Sequence, residues 1–179
     1  MKDVITFPVK NNHMFYNSDV NATSRREHGV DFLIHRNHNN SVIEFNAISS
    51  RLAVLKLRGK YNNVTLIQCY APTTTHPDEK VDTFYSQLQQ LIDKTSKRDI
   101  LFVMGDFNAK IGNLHTVEPE VVGPHNNISR GHIDRGKQLV AFSKQNELFV
   151  ANSKFKQRRK YTWTSPGDRI HNTIDYILV

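Results

Sequence analysis

The chain has 179 residues, 38% of them hydrophobic and 23% charged, with 24 Lys and Arg against 17 Asp and Glu. That is the composition of one globular domain with an ordinary core, and it excludes collagen-like, low-complexity and wholly disordered chains. The apolar stretches around Leu101 and Ile174 fall far short of the roughly 20 residues a membrane helix needs, so no span and no membrane partner are expected.

Residues 1–10 hold only a brief apolar run broken by Pro8, without the apolar core of a secretory signal; an intracellular chain is expected, with the nucleus open to it. On that expectation the sequons beginning at Asn21, Asn63 and Asn127 are chance products of an Asn-rich chain. The single cysteine, Cys69, sits in an apolar β-like run and reads as a small core residue.

Residues 1–26 show little periodicity and much Asn, Ser and charge, the pattern of a loop or lead-in, which separates 1–28 from a domain over 29–179. Strands are predicted at 30–35, 42–48, 52–57 and 64–70, with 58–63 as a hairpin link. Val81, Phe84, Tyr85, Leu88, Leu91 and Ile92 then recur at helical spacing, behind Thr75 or His76 as cap and Pro77 in the first turn. The continuous apolar run from Ile100 to Met104 predicts a strand buried on both faces and ending at Gly105. A long polar loop over 112–131 follows, then a short helix with Leu139, Val140 and Phe142 and with Asp134 as cap. Further strands are predicted at 148–151, 161–164 and 174–179. The order predicts a sheet-based domain with outer helices. Because the last apolar strand has no following turn, a fragment is expected.

Chemistry-bearing residues cluster at strand ends. Gly105-Asp106-Phe107-Asn108 follows the most apolar strand, and in extended chain Asp106 and Asn108 share one side. A carboxylate there takes a proton from water or helps hold a cation, and an amide donates to a phosphate or orients the nucleophile. The competing reading of the same four residues is an Asx turn that merely closes the strand. Tyr70 ends another strand, and Asp175 is a carboxylate in an otherwise apolar one, which needs a partner if buried. Five of the seven residues 154–160 are basic, namely Lys154, Lys156, Arg158, Arg159 and Lys160; with the net charge of +7 they suit a polyanion by counterion release, though a solvated loop has the same composition. Trp163, just beyond, is either a core or edge-strand aromatic or a base-stacking one.

These segments, taken in order, resemble the endonuclease/exonuclease/phosphatase superfamily, and within it the endonuclease domains of RTE-type non-LTR retrotransposons. The resemblance rests on Gly29-Val30-Asp31-Phe32, Arg51-Leu52-Ala53-Val54, Tyr70-Ala71-Pro72-Thr73, Gly105-Asp106-Phe107-Asn108-Ala109-Lys110, Val121-Val122-Gly123-Pro124-His125, Tyr161-Thr162-Trp163-Thr164-Ser165-Pro166 and Asn172-Thr173-Ile174-Asp175-Tyr176-Ile177-Leu178. It implies a DNase I-like α/β fold, a four-layer sandwich of two mixed sheets with outer helices, here incomplete at both ends. It also implies magnesium-dependent hydrolysis of phosphate esters and a DNA partner; protein partners are not implied. By resemblance Asp106 orients or deprotonates the attacking water, Asn108 bonds the phosphate or that water, and Tyr70 donates to a phosphate oxygen. Asp175 matches the aspartate that buttresses the family's catalytic histidine, while Asn172 and Trp163 fall near the substrate cleft.

The family's principal metal-binding Glu is not recognisable before Gly29: Glu27 lies too close to the Gly-Val strand, and Glu44 reads as a solvated surface residue. The family's C-terminal Ser-Asp-His motif would lie beyond Val179, and His171 reads as a surface residue. The metal ligands are therefore unassigned. The expected function is a retrotransposon-derived, metal-dependent phosphodiester hydrolase of weak or no activity; the alternative is an inactive remnant that binds nucleic acid or protein.

Overall fold

The computed structural model describes residues 5–9, 13–18, 29–126, 134–159 and 161–179. They form two compact units, the first from residues 1–70 and 86–103, the second from 71–85 and 104–179.

In the first unit, β1 (Ile5–Val9), β2 (His13–Asn17) and β3 (Asp31–Ile34) form an antiparallel sheet in that order. The lead-in expectation is thereby corrected over β1 and β2. A 3₁₀ turn over Arg36–Ser41 leads into β4 (Val42–Ser49), which pairs antiparallel with β5 (Leu52–Leu57), and β5 with β6 (Val64–Tyr70). The 58–63 link is a hairpin in which a Cβ on Gly59 would overlap the Asn62 carbonyl, so the turn requires glycine. Tyr16 and Phe32 pack on Phe45 at ring separations of 5.1 and 6.2 Å, joining the three-stranded sheet to β4. Leu52, Leu55, Ile67, Cys69 and Leu88 are buried, which confirms Cys69 as a core residue. Asp99, almost fully buried, bonds Lys56 Nζ at 2.7 Å and accepts from Thr65 Oγ1 at 2.8 Å.

Two elements run through both units. The helix α1 (Asp78–Lys94) buries Val81, Phe84, Tyr85 and Leu88, the stripe predicted from spacing. The strand β7 (Ile100–Asp106) lies beside β6 in the first unit and beside β10 (Asp175–Leu178) in the second. It passes through Gly105 to end at Asp106. Only Val103 is fully buried and Ile100 is 45% exposed, so the expectation of a strand buried on both faces is corrected.

The second unit is built on Phe107, Ala109, Ile111, Leu139, Val150, Tyr176 and Leu178. Its helix α2 (Asp134–Gln145) begins at the predicted Asp134 and approaches so closely that a Cβ on Gly136 would overlap the Lys110 carbonyl. Within the expected polar loop, Val121 and Val122 are buried, and residues 127–131 lie outside the described residues. The strand predicted at 148–151 is corrected: Val150 makes single bridges to Val122 and Leu178, and the chain then coils into α3 (Ala151–Lys154), closed by Ser153 donating to the Val150 carbonyl. β8 (Trp163–Thr164) and β9 (His171–Asn172) form a two-stranded antiparallel ribbon.

Candidate functional site

β7 carries Asp106 to its last position, where the backbone turns sharply. Gly105 has φ 141° and Asn108 φ 47°, conformations that glycine adopts freely and asparagine tolerates. Asn108 N–H donates to Asp106 Oδ1 at 2.7 Å, and Asn108 Nδ2 donates to the Ala71 carbonyl at 2.8 Å. Asp106 and Asn108 therefore do not share a face of extended strand, as expected from their spacing. The Asx turn offered as the rival reading is present, and it is the device that presents the carboxylate. One amide hydrogen of Asn108 is committed to Ala71.

Burial pushes the Asp106 carboxyl up to about 6; the Asn108 N–H opposes that rise, and the negative charge of Asp175 adds to it. Asp175 is half-buried at the start of β10, a strand at the end of the sheet order. Its peptide is held on both sides: Thr162 Oγ1 accepts its N–H at 3.2 Å, and Asn152 Nδ2 donates to its carbonyl at 3.1 Å. Tyr176, next in chain, is buried. Its hydroxyl donates to the carbonyls of Thr173 at 2.7 Å and Ala109 at 3.2 Å, and Phe107 N–H donates to the Ile174 carbonyl at 2.8 Å. Burial drives the Tyr176 pKa upward, so it remains a neutral donor.

The second unit thus brings together Asp106, Asn108 and Asp175. Tyr70 ends β6 in the first unit, half-buried, with the Arg51 guanidinium 5.0 Å over its ring and donating to its carbonyl at 3.1 Å. Asn172 is buried in β9, its carbonyl accepting from Thr162 N–H at 2.9 Å, and Trp163 is 40% exposed on the ribbon. The basic run divides. Lys154 is anchored, its amine donating to the carbonyls of Pro119 and Glu120 at 2.7 and 2.9 Å. Lys156 and Arg158 are exposed, Arg159 lies 4.7 Å over the Tyr161 ring, and Lys160 is outside the described residues.

Glu44 is exposed and accepts from Asn46, as expected of a surface residue, and Glu27 lies outside the described residues. His171 stacks on Tyr161 at 4.3 Å and bonds Thr164 Oγ1 at 3.1 Å. Among the described residues no group of three or more His, Cys, Asp and Glu could hold a metal ion. Asp175 nonetheless offers a hard oxygen donor of the kind magnesium uses when it shares a substrate's phosphates rather than occupying a protein cage. Sequence reasoning missed three supports of this site. Thr162 and Tyr176 lie in the motifs over 161–166 and 172–178, where spacing gives their hydroxyls no distinguishing mark, and Asn152 carries no local signal.

Residues 64–179 match the family described as endonuclease-reverse transcriptase. Craniofacial development protein 2 from Tragulus javanicus is 38% identical over 158 residues, and its Bos taurus counterpart 37%; each match covers 87% of this chain but only 27% and 26% of the relative. The chain spans about a quarter of the length of these curated relatives. Among solved structures, the endonuclease domain of TRAS1, a telomere-specific non-LTR retrotransposon, aligns with a TM-score of 0.56 at 17% identity, covering 83% of this chain and 58% of that one. The 3′ phosphatase NExo (D146N) from Neisseria, bound to product DNA hairpin, aligns at 0.57 and 15% identity, covering 84% and 61%. These likenesses establish the DNase I-like α/β fold. With about 65% of its length matched and the GDFN turn and Asp175 strand inside that span, the chain belongs to the endonuclease-reverse transcriptase family of endonuclease/exonuclease/phosphatase domains.

Proposed function

We propose that the chain is a nuclease domain that hydrolyses phosphodiester bonds in DNA through Asp106. The observation that carries this is a carboxylate presented by a backbone turn at a strand end, with its pKa raised to about 6 by burial and by Asp175. A base poised near neutral pH takes a proton efficiently from an attacking water. In the reaction the water oxygen bonds to phosphorus, its proton passes to Asp106, the bond from phosphorus to the leaving sugar oxygen breaks, and that oxygen takes a proton from solvent. Asn108 keeps the turn closed and bonds the phosphate or water with its remaining amide capacity. Asp175 would hold magnesium jointly with the substrate phosphate, which leaves the Asp106 carboxylate free to take the proton. When bound, the ion stabilises charge on the phosphate oxygens.

The 179-residue chain is expected to nick slowly, since no described histidine bonds Asp175 and losing one member of a catalytic set costs orders of magnitude. His171, engaged by Tyr161 and Thr164, favours a second reading in which the domain binds nucleic acid without cutting it. Nicking of supercoiled plasmid with magnesium separates the two. Slow nicking lost in Asp106→Ala supports the nuclease, and binding without nicking supports the remnant.

A further inference from the structure

The first unit concentrates positive charge where the 58–63 hairpin meets the loop that joins α1 to β7. The two segments are tied together by three bonds. Ile100 N–H donates to the Asn63 carbonyl at 2.8 Å, Thr65 Oγ1 donates to Asp99 at 2.8 Å, and Lys56 Nζ bonds the same carboxylate oxygen at 2.7 Å. Lys97 and Arg98 immediately precede Asp99, while Arg58 and Lys60 closely follow Lys56, so the ties hold both basic segments at one end of the sheet. Ile100 opens β7 and Asp106 closes it, which places this surface and the acid at opposite ends of that strand.

The charge there is unbalanced. Each nearby carboxylate is engaged: Asp99 by Lys56 and Thr65, Asp93 by Gln89 Nε2 at 2.8 Å, and Glu44, the register partner of Lys56, by Asn46 Nδ2 at 2.7 Å. Arg58, Lys60, Lys94, Lys97 and Arg98 are exposed, and among the described residues none of their side chains enters an ion pair or hydrogen bond. Free cations in such excess attract a polyanion and release its counterions. The hairpin tip adds Tyr61, 87% exposed, with Lys60 Nζ 5.0 Å from its ring centroid. An exposed aromatic face among cations fits a single strand, whose bases stack on the ring while its phosphates lie on the cations. A duplex keeps its bases stacked inside, and an acidic peptide has no base to stack.

We propose that this end of the first unit binds a single-stranded nucleic-acid segment, with Arg58, Lys60, Lys97 and Arg98 on its phosphates and Tyr61 stacked on a base. The surface shares no residue with the turn that presents Asp106, and its role does not require cleavage.

The test titrates a fluorescent 20-mer oligothymidylate with the full chain in EDTA, where no cleavage occurs, at several salt concentrations. The Arg58→Gln/Lys60→Gln/Lys97→Gln triple variant is expected to bind at least about tenfold more weakly at about 50 mM salt. It should also flatten the log-log salt slope by about two units, at about 0.7 per phosphate contact on a single strand. Tyr61→Ala is expected to weaken binding about tenfold with the slope unchanged, because it removes a stacking partner and no cation, and Tyr61→Phe to bind as the parent does. Equal affinity and slope in parent and triple variant, both folded by circular dichroism, would overturn the proposal; the nuclease reading would stand, since it is tested separately by nicking through Asp106. A poly-glutamate peptide bound as tightly as the oligonucleotide, with Tyr61→Ala without effect on either, would overturn the strand assignment and give the surface to an acidic protein segment.

Discussion

Replacing Asp106 by Asn removes a charge that folding makes costly. Burial raises the carboxyl from 3.8 to about 6, so the native state holds its proton more tightly than the unfolded chain does. Below pH 3.8 both states are protonated and the residue contributes no pH-dependent term. Between 3.8 and about 6 the unfolded chain ionises first and stability falls; above 6 the penalty is constant. A shift of that size corresponds to about 3 kcal/mol when fully realised. Asp106 is only half-buried, so solvent screening reduces the effect to about 1–2 kcal/mol. Relative to the parent, Asp106→Asn is expected to gain that amount between pH 4 and pH 7.5, or about 3–6 °C in melting temperature for a chain of this size. Comparing two pH values cancels the constant cost of housing the amide. Thermal melts followed by circular dichroism in EDTA measure the difference, and parallel pH dependence in parent and variant would refute the electrostatic account of the site.

The supports of the site make separate predictions. Tyr176→Phe deletes the hydroxyl that bonds Thr173 and Ala109; it is expected to cost about 1–2 kcal/mol in urea denaturation and to slow nicking. Lys56→Met breaks the ion pair that holds the Asp99 pKa below the usual carboxylate value. Its cost at pH 7, about 1 kcal/mol, is expected to fade as pH falls below 3.8, because a depressed carboxylate stabilises only while ionised. Neutralising Lys156 and Arg158 together should flatten the salt dependence of duplex binding by about two units, whereas Lys154→Met should lower stability and leave the slope alone, since its amine is bonded to Pro119 and Glu120.

Much of the fold was legible because the physical signals were clean. β5 and β6 lie at the predicted residues, where apolar runs are separated by a glycine hairpin, and α1 buries the predicted helical stripe. β2 was hidden because all five of its residues are half-buried, which erases the alternation that marks a strand. β1 contains Pro8, a residue that argues against a strand interior. At 148–151 an apolar run looked like a strand, but the bridges of Val150 to Val122 and Leu178 depend on distant residues. The site shows the same division. Asp106 and Asp175 stand out as candidates from residue type and position, but the left-handed Asn108 is not foreseeable from its spacing. The separate fate of Lys154 within its basic run depends on the Pro119 and Glu120 carbonyls 35 and 34 residues away.

The central claim is that Asp106 acts as the base of a phosphodiester-cleaving site. Its most direct test is the rate of plasmid nicking with magnesium from pH 4.5 to 8, for the parent and for Asp106→Ala. The account predicts slow nicking that rises with pH to a plateau beyond about 6, as Asp106 loses its proton, and near-complete loss in the variant. A rate that persists in Asp106→Ala with an unchanged pH profile would contradict it.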